Sequence, residues 1–236
     1  MFASRLNKII TKWKGHEYVI DEDIPAPYLM ALVWSRLMML VWGKLRFVKN
    51  GGLFFLSFRA KIKCGSRLRV GRSVTISSGC YIDALSSEGI RFGNNVSVGM
   101  NTKIEGTGNL QFLGKGLLVG NNVGLGSDNF FGCAGGIIIG DDTIIGNYVS
   151  FHSENHVYDD LSTPIRLQGV KHDGIKLGKN CWIGAKSTIL DGAVIGNGCI
   201  IAAGAVVKKG KYEDNGIYGG VPARLLMKRE ELFDYA

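Results

Sequence analysis

Residues 177–207, LGKNCWIGAKSTILDGAVIGNGCIIAAGAVV, place an aliphatic side chain at every sixth position: Leu177, Ile183, Ile189, Ile195, Ile201 and Val207. Gly or Ala follows in most units (Gly178, Gly184, Gly196, Ala202), and a small residue stands four places after each aliphatic one (Cys181, Ser187, Ala193, Cys199, Ala205). A helix repeats every ~3.6 residues and a simple strand every ~2, so neither yields this spacing. A short strand followed by a tight corner does. Three such units close a triangular coil of about 18 residues, and residues one coil apart stack at roughly 4.7–4.9 Å. The aliphatic rows then point inward as ladders, and the Gly positions let the backbone turn. Cys181 and Cys199 are expected to stack as small core residues.

The same frame runs backward through the chain: Val70, Ile76, Ile82; then Phe92, Val98, Ile104, Leu110; then Val119, Leu125, Phe131; then Ile139, Ile145, Phe151. Between these groups the step grows to 10 (Ile82 to Phe92), 9 (Leu110 to Val119), 8 (Phe131 to Ile139) and 26 (Phe151 to Leu177). The long interruption holds three of the chain's four histidines, His152, His156 and His172. An irregular segment of that length in a compact body is usually functional or disordered, and its histidines and aromatics favour function. The expected organisation is a basic and apolar helical segment over 1–57, a repeat body over 58–210 with a large loop at 152–176, and a tail over 211–236 whose Pro222 to Glu231 stretch is expected to form a short C-terminal helix.

Composition fits a single repetitive body. Gly is 34 of 236 residues and Pro only 4, so the glycines have positional work rather than marking disorder or collagen. Five cysteines, no CxxC spacing and no apolar leader in residues 1–14 fit a reduced, cytoplasmic setting and argue against cysteine-bound zinc. The formal charge of +8 is unevenly spread. Residues 1–72 carry 14 Lys/Arg against 4 Asp/Glu, and the other 164 carry 14 against 16. A basic end of this kind is not a nucleic-acid signature by itself, and no nucleic-acid partner is expected.

The repeat resembles the hexapeptide-repeat acyltransferases, which implies a mainly β fold, a left-handed parallel β-helix, with the handedness taken from that family. The long loop resembles the active-site loop of bacterial sugar and polysaccharide O-acetyltransferases of the galactoside and maltose acetyltransferase type. The matching residues are Glu154-Asn155-His156-Val157-Tyr158, Pro164-Ile165, Gln168-Gly169 and the run KLGKNCWIG from Lys176 to Gly184. The resemblance implies acetyl-CoA as donor, a sugar or glycan hydroxyl as acceptor, a homotrimer with sites between subunits, and no metal.

His156 takes the catalytic position in that likeness. A hydroxyl is a poor nucleophile at neutral pH, and an imidazole, which titrates near ~6.5, can accept its proton during attack on a thioester without any covalent enzyme intermediate. Backbone N–H groups of a Gly-rich coil suit the resulting oxyanion. Glu154 is a candidate to orient the imidazole, with His152 as a supporting or corner residue and His172 as surface. The resemblance further implies donor contacts at Trp182, Ala185 and Ala203 and phosphate contacts at Lys208, Lys209 and Arg224, the last within Gly220-Val221-Pro222-Ala223-Arg224. Cations suit phosphates there. On the acceptor side relatives carry an Asn where this chain has Gly126, leaving Ser127, Asp128 and Asn155 as acceptor candidates. Competing readings are a xenobiotic or amino-acid acetyltransferase on the same fold and a zinc-dependent, carbonic-anhydrase-like β-helix.

Residues 27–48 read as a helix that is apolar nearly all round, interrupted by Arg36 and Lys44. Its longest uncharged run, residues 24–35, is 12 residues, short of the ~20 that cross a bilayer. Such a segment either lies peripherally on a membrane, caps the solenoid, or packs on another subunit.

Overall fold

The computed structural model describes residues 6–7, 10–11, 17–47 and 52–231; the rest of the expected 1–57 and 211–236 segments, and Val48 at the end of the expected helix, lie outside the described residues. A helix, α1 (Ala26–Arg46), precedes a stack of short strands arranged as three sheets of nine, seven and seven strands. Every pairing within the coils is parallel, and each strand's neighbour is the corresponding strand of the next coil. In the regular stretch the register is Trp182 to Ile200 and Ile183 to Ile201, the 18-residue coil expected from the repeat.

The inward ladders fill the prism. On the first face Leu56, Ile76, Val98, Leu125, Ile145, Ile183 and Ile201 stack; on the second Ile82, Ile104, Phe131, Phe151, Ile189 and Val207; on the third Phe92, Val119, Ile139, Leu177 and Ile195. Phe131 and Phe151 stack face to face at 4.8 Å with the rings 11° from parallel. Full burial of one such side chain stabilises by about 1.5–3 kcal/mol, so successive rungs hold the coil without long-range packing. The four buried cysteines belong to this core. Burial raises the thiols of Cys80 and Cys181 to a pKa of about 11, which keeps them protonated and unreactive at neutral pH.

Where a glycine follows the aliphatic rung at the corner from third to first face, coil-to-coil contact requires it. A Cβ at Gly140 would lie 2.5 Å from the carbonyl oxygen of Gly178, and one at Gly71 as close to that of Gly93. Two residues further on, the corner needs a left-handed residue, and Asn95, Asn122, Asp142 and Asn180 take φ of 54–59° there. Asn and Asp tolerate that region best among residues with a side chain.

All the breaks fall on one edge. Steps from first to second face and from third to first face are six residues throughout. Steps from second to third face are 8 (Ile62 to Val70), 10 (Ile82 to Phe92), 15 (Ile104 to Val119), 8 (Phe131 to Ile139), 26 (Phe151 to Leu177), 6 (Ile189 to Ile195) and 5 (Val207 to Tyr212). Leu110, expected as a ladder rung, is 87% exposed in the loop that makes up the 15-residue step. Its six-residue spacing from Ile104 is coincidental, since the chain there leaves the prism.

Two boundaries differ from expectation. The coils start at Phe54, not residue 58, because Phe54–Leu56 pairs with Val74–Ile76; they also run past residue 210, through Gly210–Tyr212 and Gly216–Gly219. The expected C-terminal helix is a strand: Arg224–Lys228 pairs antiparallel with Gly216–Gly219 and closes the first face. The last coil leaves backbone groups that need partners, and satisfying them outweighs the helix propensity of Ala, Leu and Lys.

Candidate active site

The 152–176 excursion springs from the edge that carries every other break. Its departing foot is pinned by Ser153, fully buried, whose Oγ donates to Gly132 O at 2.7 Å and accepts from Gly135 N at 2.9 Å. Its returning foot is held by Asp191, 1% exposed. One Asp191 oxygen accepts from Gly174 N at 2.7 Å, and the carboxylate also accepts from Asp173 N at 3.0 Å. Between the feet, Asn155–His156 pairs antiparallel with Val170–Lys171, and Val157 N donates to Gly169 O at 3.0 Å. The tip is closed by Gln168, whose Nε2 donates to Asp160 O and Thr163 O at 2.7 and 2.6 Å. The Asp160 carboxylate accepts from Ser162 and Thr163, which holds its pKa down at about 2.

His156 is thus fixed at its backbone by a two-stranded hairpin with its side chain exposed. Glu154 does not sit on it. The Glu154 Oε2 is 3.2 Å from His172 Nε2, and its Oε1 abuts Gly108 of the 105–116 loop, where a Cβ would come within 2.8 Å. His172, expected as plain surface, is therefore the partner of Glu154, and the expectation that Glu154 orients His156 is corrected. Strand pairing explains this: it aligns Asn155 with Lys171, which brings Glu154 beside His172. His152 lies outside the second face, 5.4 Å from the Phe130 ring, and partial burial lowers its pKa.

The other expected site residues divide by location. Trp182 is 55% exposed on the outer surface of the first face, in register with Ile144 and Ile200. Ala185 and Ala203 stack at the corner between first and second faces, where Gly204 N donates to Ala185 O at 2.9 Å. Lys208 and Arg224 are exposed and form no ion pair among the described residues. Lys209 is engaged: its Nζ is 2.7 Å from Asp173 Oδ2, tying the coil after the loop to the loop's returning foot, lowering the pKa of Asp173 and raising that of Lys209.

Ser127 and Asp128 also occupy the corner between first and second faces, away from the edge that carries His156. Both are used there: Ser127 Oγ accepts from Met100 N at 3.1 Å, and Asp128 Oδ1 from Asn101 Nδ2 at 3.0 Å. Within one chain they do not join His156; Asn155 does, as its neighbour in the hairpin. A groove runs along the break edge at the returning foot, lined by Lys115, Gly116, Gly136, Asp173 and Gly174. No group of three or more His, Cys, Asp or Glu among the described residues is arranged to hold a metal ion. Asp191, Ser153 and the Glu154–His172 pair escaped the sequence reading, because each acts across coils whose stacking order the long loop conceals.

Known proteins of this kind exist. The sequence profile of the bacterial transferase hexapeptide family (six repeats) matches residues 174–209. The chain is 32% identical over 114 residues to a probable acetyltransferase of Mycobacterium tuberculosis, a span that is 48% of this chain and only 38% of that relative. It is 27% identical over 157 residues to the putative lipopolysaccharide biosynthesis O-acetyl transferase WbbJ of Escherichia coli, covering 63% of this chain and 76% of WbbJ. Among solved structures, the N-acyltransferase AntD of Bacillus cereus, in complex with dTDP-4-amino-4,6-dideoxyglucose and coenzyme A, superposes with a TM-score of 0.53 at 21% identity, over 82% of this chain and 94% of AntD. That likeness concerns the fold. The six-residue repeat and the three-faced parallel coils give the chain the hexapeptide-repeat fold, the one these left-handed parallel β-helix acyltransferases share, with the transferase profile matching over residues 174–209.

Proposed function

We propose that this protein transfers an acetyl group from acetyl-CoA to a hydroxyl of a sugar or cell-surface glycan precursor, with His156 as general base. The observation that carries the reading is the placement of His156: an exposed imidazole on a hairpin whose two feet are pinned to the coil by buried Ser153 and Asp191. The likeness to WbbJ, a putative lipopolysaccharide biosynthesis O-acetyl transferase, supports the acceptor class. AntD, crystallised with coenzyme A and a dTDP-sugar, supports the donor.

In this mechanism His156 accepts the proton of the acceptor hydroxyl while its oxygen attacks the thioester carbonyl. The tetrahedral oxyanion collapses, the C–S bond breaks, and the imidazolium returns the proton to the departing CoA thiolate. No covalent enzyme intermediate forms. Trp182 offers an apolar surface for the pantetheine arm, with the backbone of Ala185 and Ala203 alongside. Lys208 and Arg224 are available to phosphates, whereas Lys209 would have to leave Asp173 first. Ser127 and Asp128, and equally Ala185 and Ala203 at the same corner, meet His156 only if a second subunit supplies them, which fits a homotrimer with sites between subunits.

The test is chemical. Purified protein is incubated with acetyl-CoA and a panel of sugars, nucleotide sugars and amines, and the products are treated with mild alkali. An alkali-labile acetyl ester on a sugar supports the reading. An alkali-stable amide would assign the protein to amine acceptors, and no CoA release with any acceptor contradicts it.

A further inference from the structure

The first coil and α1 form a pole of the molecule unlike the rest. From residue 24 to residue 82 the sequence has ten Lys/Arg and no Asp or Glu. Arg59, Lys61, Lys63 and Arg72 are exposed on this first coil, and Phe58 beside them is 76% exposed. α1 packs on the first strand through a narrow stripe. Leu29 and Gly43 are buried, Phe47 meets Phe54 edge to face at 5.6 Å, and Arg36 Nη1 donates to Thr75 Oγ1 at 3.0 Å. Arg36, the charge in the middle of the helix, is therefore turned toward the prism.

What remains outside is apolar. At ~100° per residue, Leu37, Met30, Val41, Trp34, Met38 and Trp42 fall on one arc of about 140°, with Lys44 on one flank and Arg46 on the other. All six are between 39% and 64% exposed. A wide apolar arc bordered by cations and rich in Trp suits a bilayer interface: the arc enters the acyl boundary and the flanking cations meet the headgroups. Charge selects the occupant. A second copy meeting this pole with its own would bring two predominantly cationic surfaces together, relieved only by the exposed Asp21, Glu22 and Asp23 ahead of the helix, whereas an anionic leaflet complements it. The helix is 21 residues long, enough at ~1.5 Å per residue to cross a bilayer, yet its packing on Phe54, Phe55 and Thr75 holds it against the prism.

We infer that the α1 pole is a docking surface for an anionic membrane, with α1 lying in the interface. This does not depend on the acyl-transfer reading. The test uses the full chain with vesicles of phosphatidylcholine alone and of phosphatidylcholine with phosphatidylglycerol. The protein should float with the anionic vesicles, less so at high salt, and its tryptophan emission should be quenched by lipids brominated near the headgroup end of the chain. Arg59→Glu with Lys61→Glu should lower partitioning by roughly tenfold or more, and Trp34→Glu with Met38→Glu should abolish flotation while circular dichroism stays unchanged. If the Glu pair unfolds the protein, quenching of the wild type decides. Failure to float with anionic vesicles, or quenching only by lipids brominated at the bilayer centre, overturns the inference. So does a Glu pair that changes the oligomeric mass and leaves flotation intact, since another copy would then cover the helix.

Discussion

Glu154 Oε2 and His172 Nε2 stand 3.2 Å apart at the base of the 152–176 excursion, joining its departing chain to its returning one. Both side chains are about one-third exposed or less, at 33% and 27%. The pair is a clasp for the hairpin that carries His156. Glu154→Gln and His172→Gln should therefore each slow turnover modestly, by roughly three- to tenfold, and the double variant should be little worse than either alone, as residues acting through one contact behave. Steady-state kinetics of the four proteins check this. Additive losses would mean that the two residues act separately.

Asp191 is the stronger anchor. Its buried carboxylate accepts the backbone N–H of Asp173 and of Gly174. Asp191→Ala leaves the buried Gly174 N–H without a partner, at a cost of about 1–3 kcal/mol, and removes the part-buried bond to Asp173 N–H as well. Thermal unfolding should show a clear drop in Tm, and limited proteolysis should cut within 152–176 much faster than in the wild type.

The corner ladder makes a prediction that separates backbone strain from hydrogen bonding. Asn122 has φ of 57°, and its Nδ2 donates to Asp142 Oδ1 at 2.9 Å on the surface. Asn122→Ala should cost about 1–2 kcal/mol through the left-handed backbone alone, while Asn122→Gly should come close to neutral. Equal losses in the two variants, measured by thermal unfolding, would assign the cost to the lost hydrogen bond.

Much of this architecture was legible in the sequence, for a physical reason. In a coil each rung packs on its immediate neighbours, so the ladder from Leu177 to Val207 is written as a local period. The same period failed at Leu110, where spacing alone could not say that the chain had left the prism. Grouping the rungs in threes, one per face, would have put all the breaks on one edge and excluded Leu110. The tail was misjudged because helix propensity is local, whereas the open edge beside Gly216–Gly219 exists only after the coils have stacked. His156, the proposed base, is marked in the sequence by its loop motif, whereas the anchoring roles of Asp191 and His172 are hidden there, because their partners lie across coils or across the loop.

The loop tip carries its own acid sensitivity. The Asp160 carboxylate, with a pKa of about 2, accepts hydrogen bonds from Ser162 and Thr163. Because the folded pKa lies below the unfolded value of ~3.9, this contribution to loop order is complete above about pH 4 and lost as pH falls toward 2. Proteolysis with an acid-active protease across that window should show the tip opening ahead of the coil, and Asp160→Asn should open it at every pH.

The most direct test of the account is the rate of CoA release from acetyl-CoA in the presence of an accepted sugar, compared between wild type and His156→Ala. General-base catalysis contributes roughly 10²- to 10⁴-fold. His156→Ala should lose that much in kcat/KM, with the fold and oligomeric mass retained. Activity within a few-fold of wild type would show that His156 is not the base and that the catalytic group lies elsewhere on the coil.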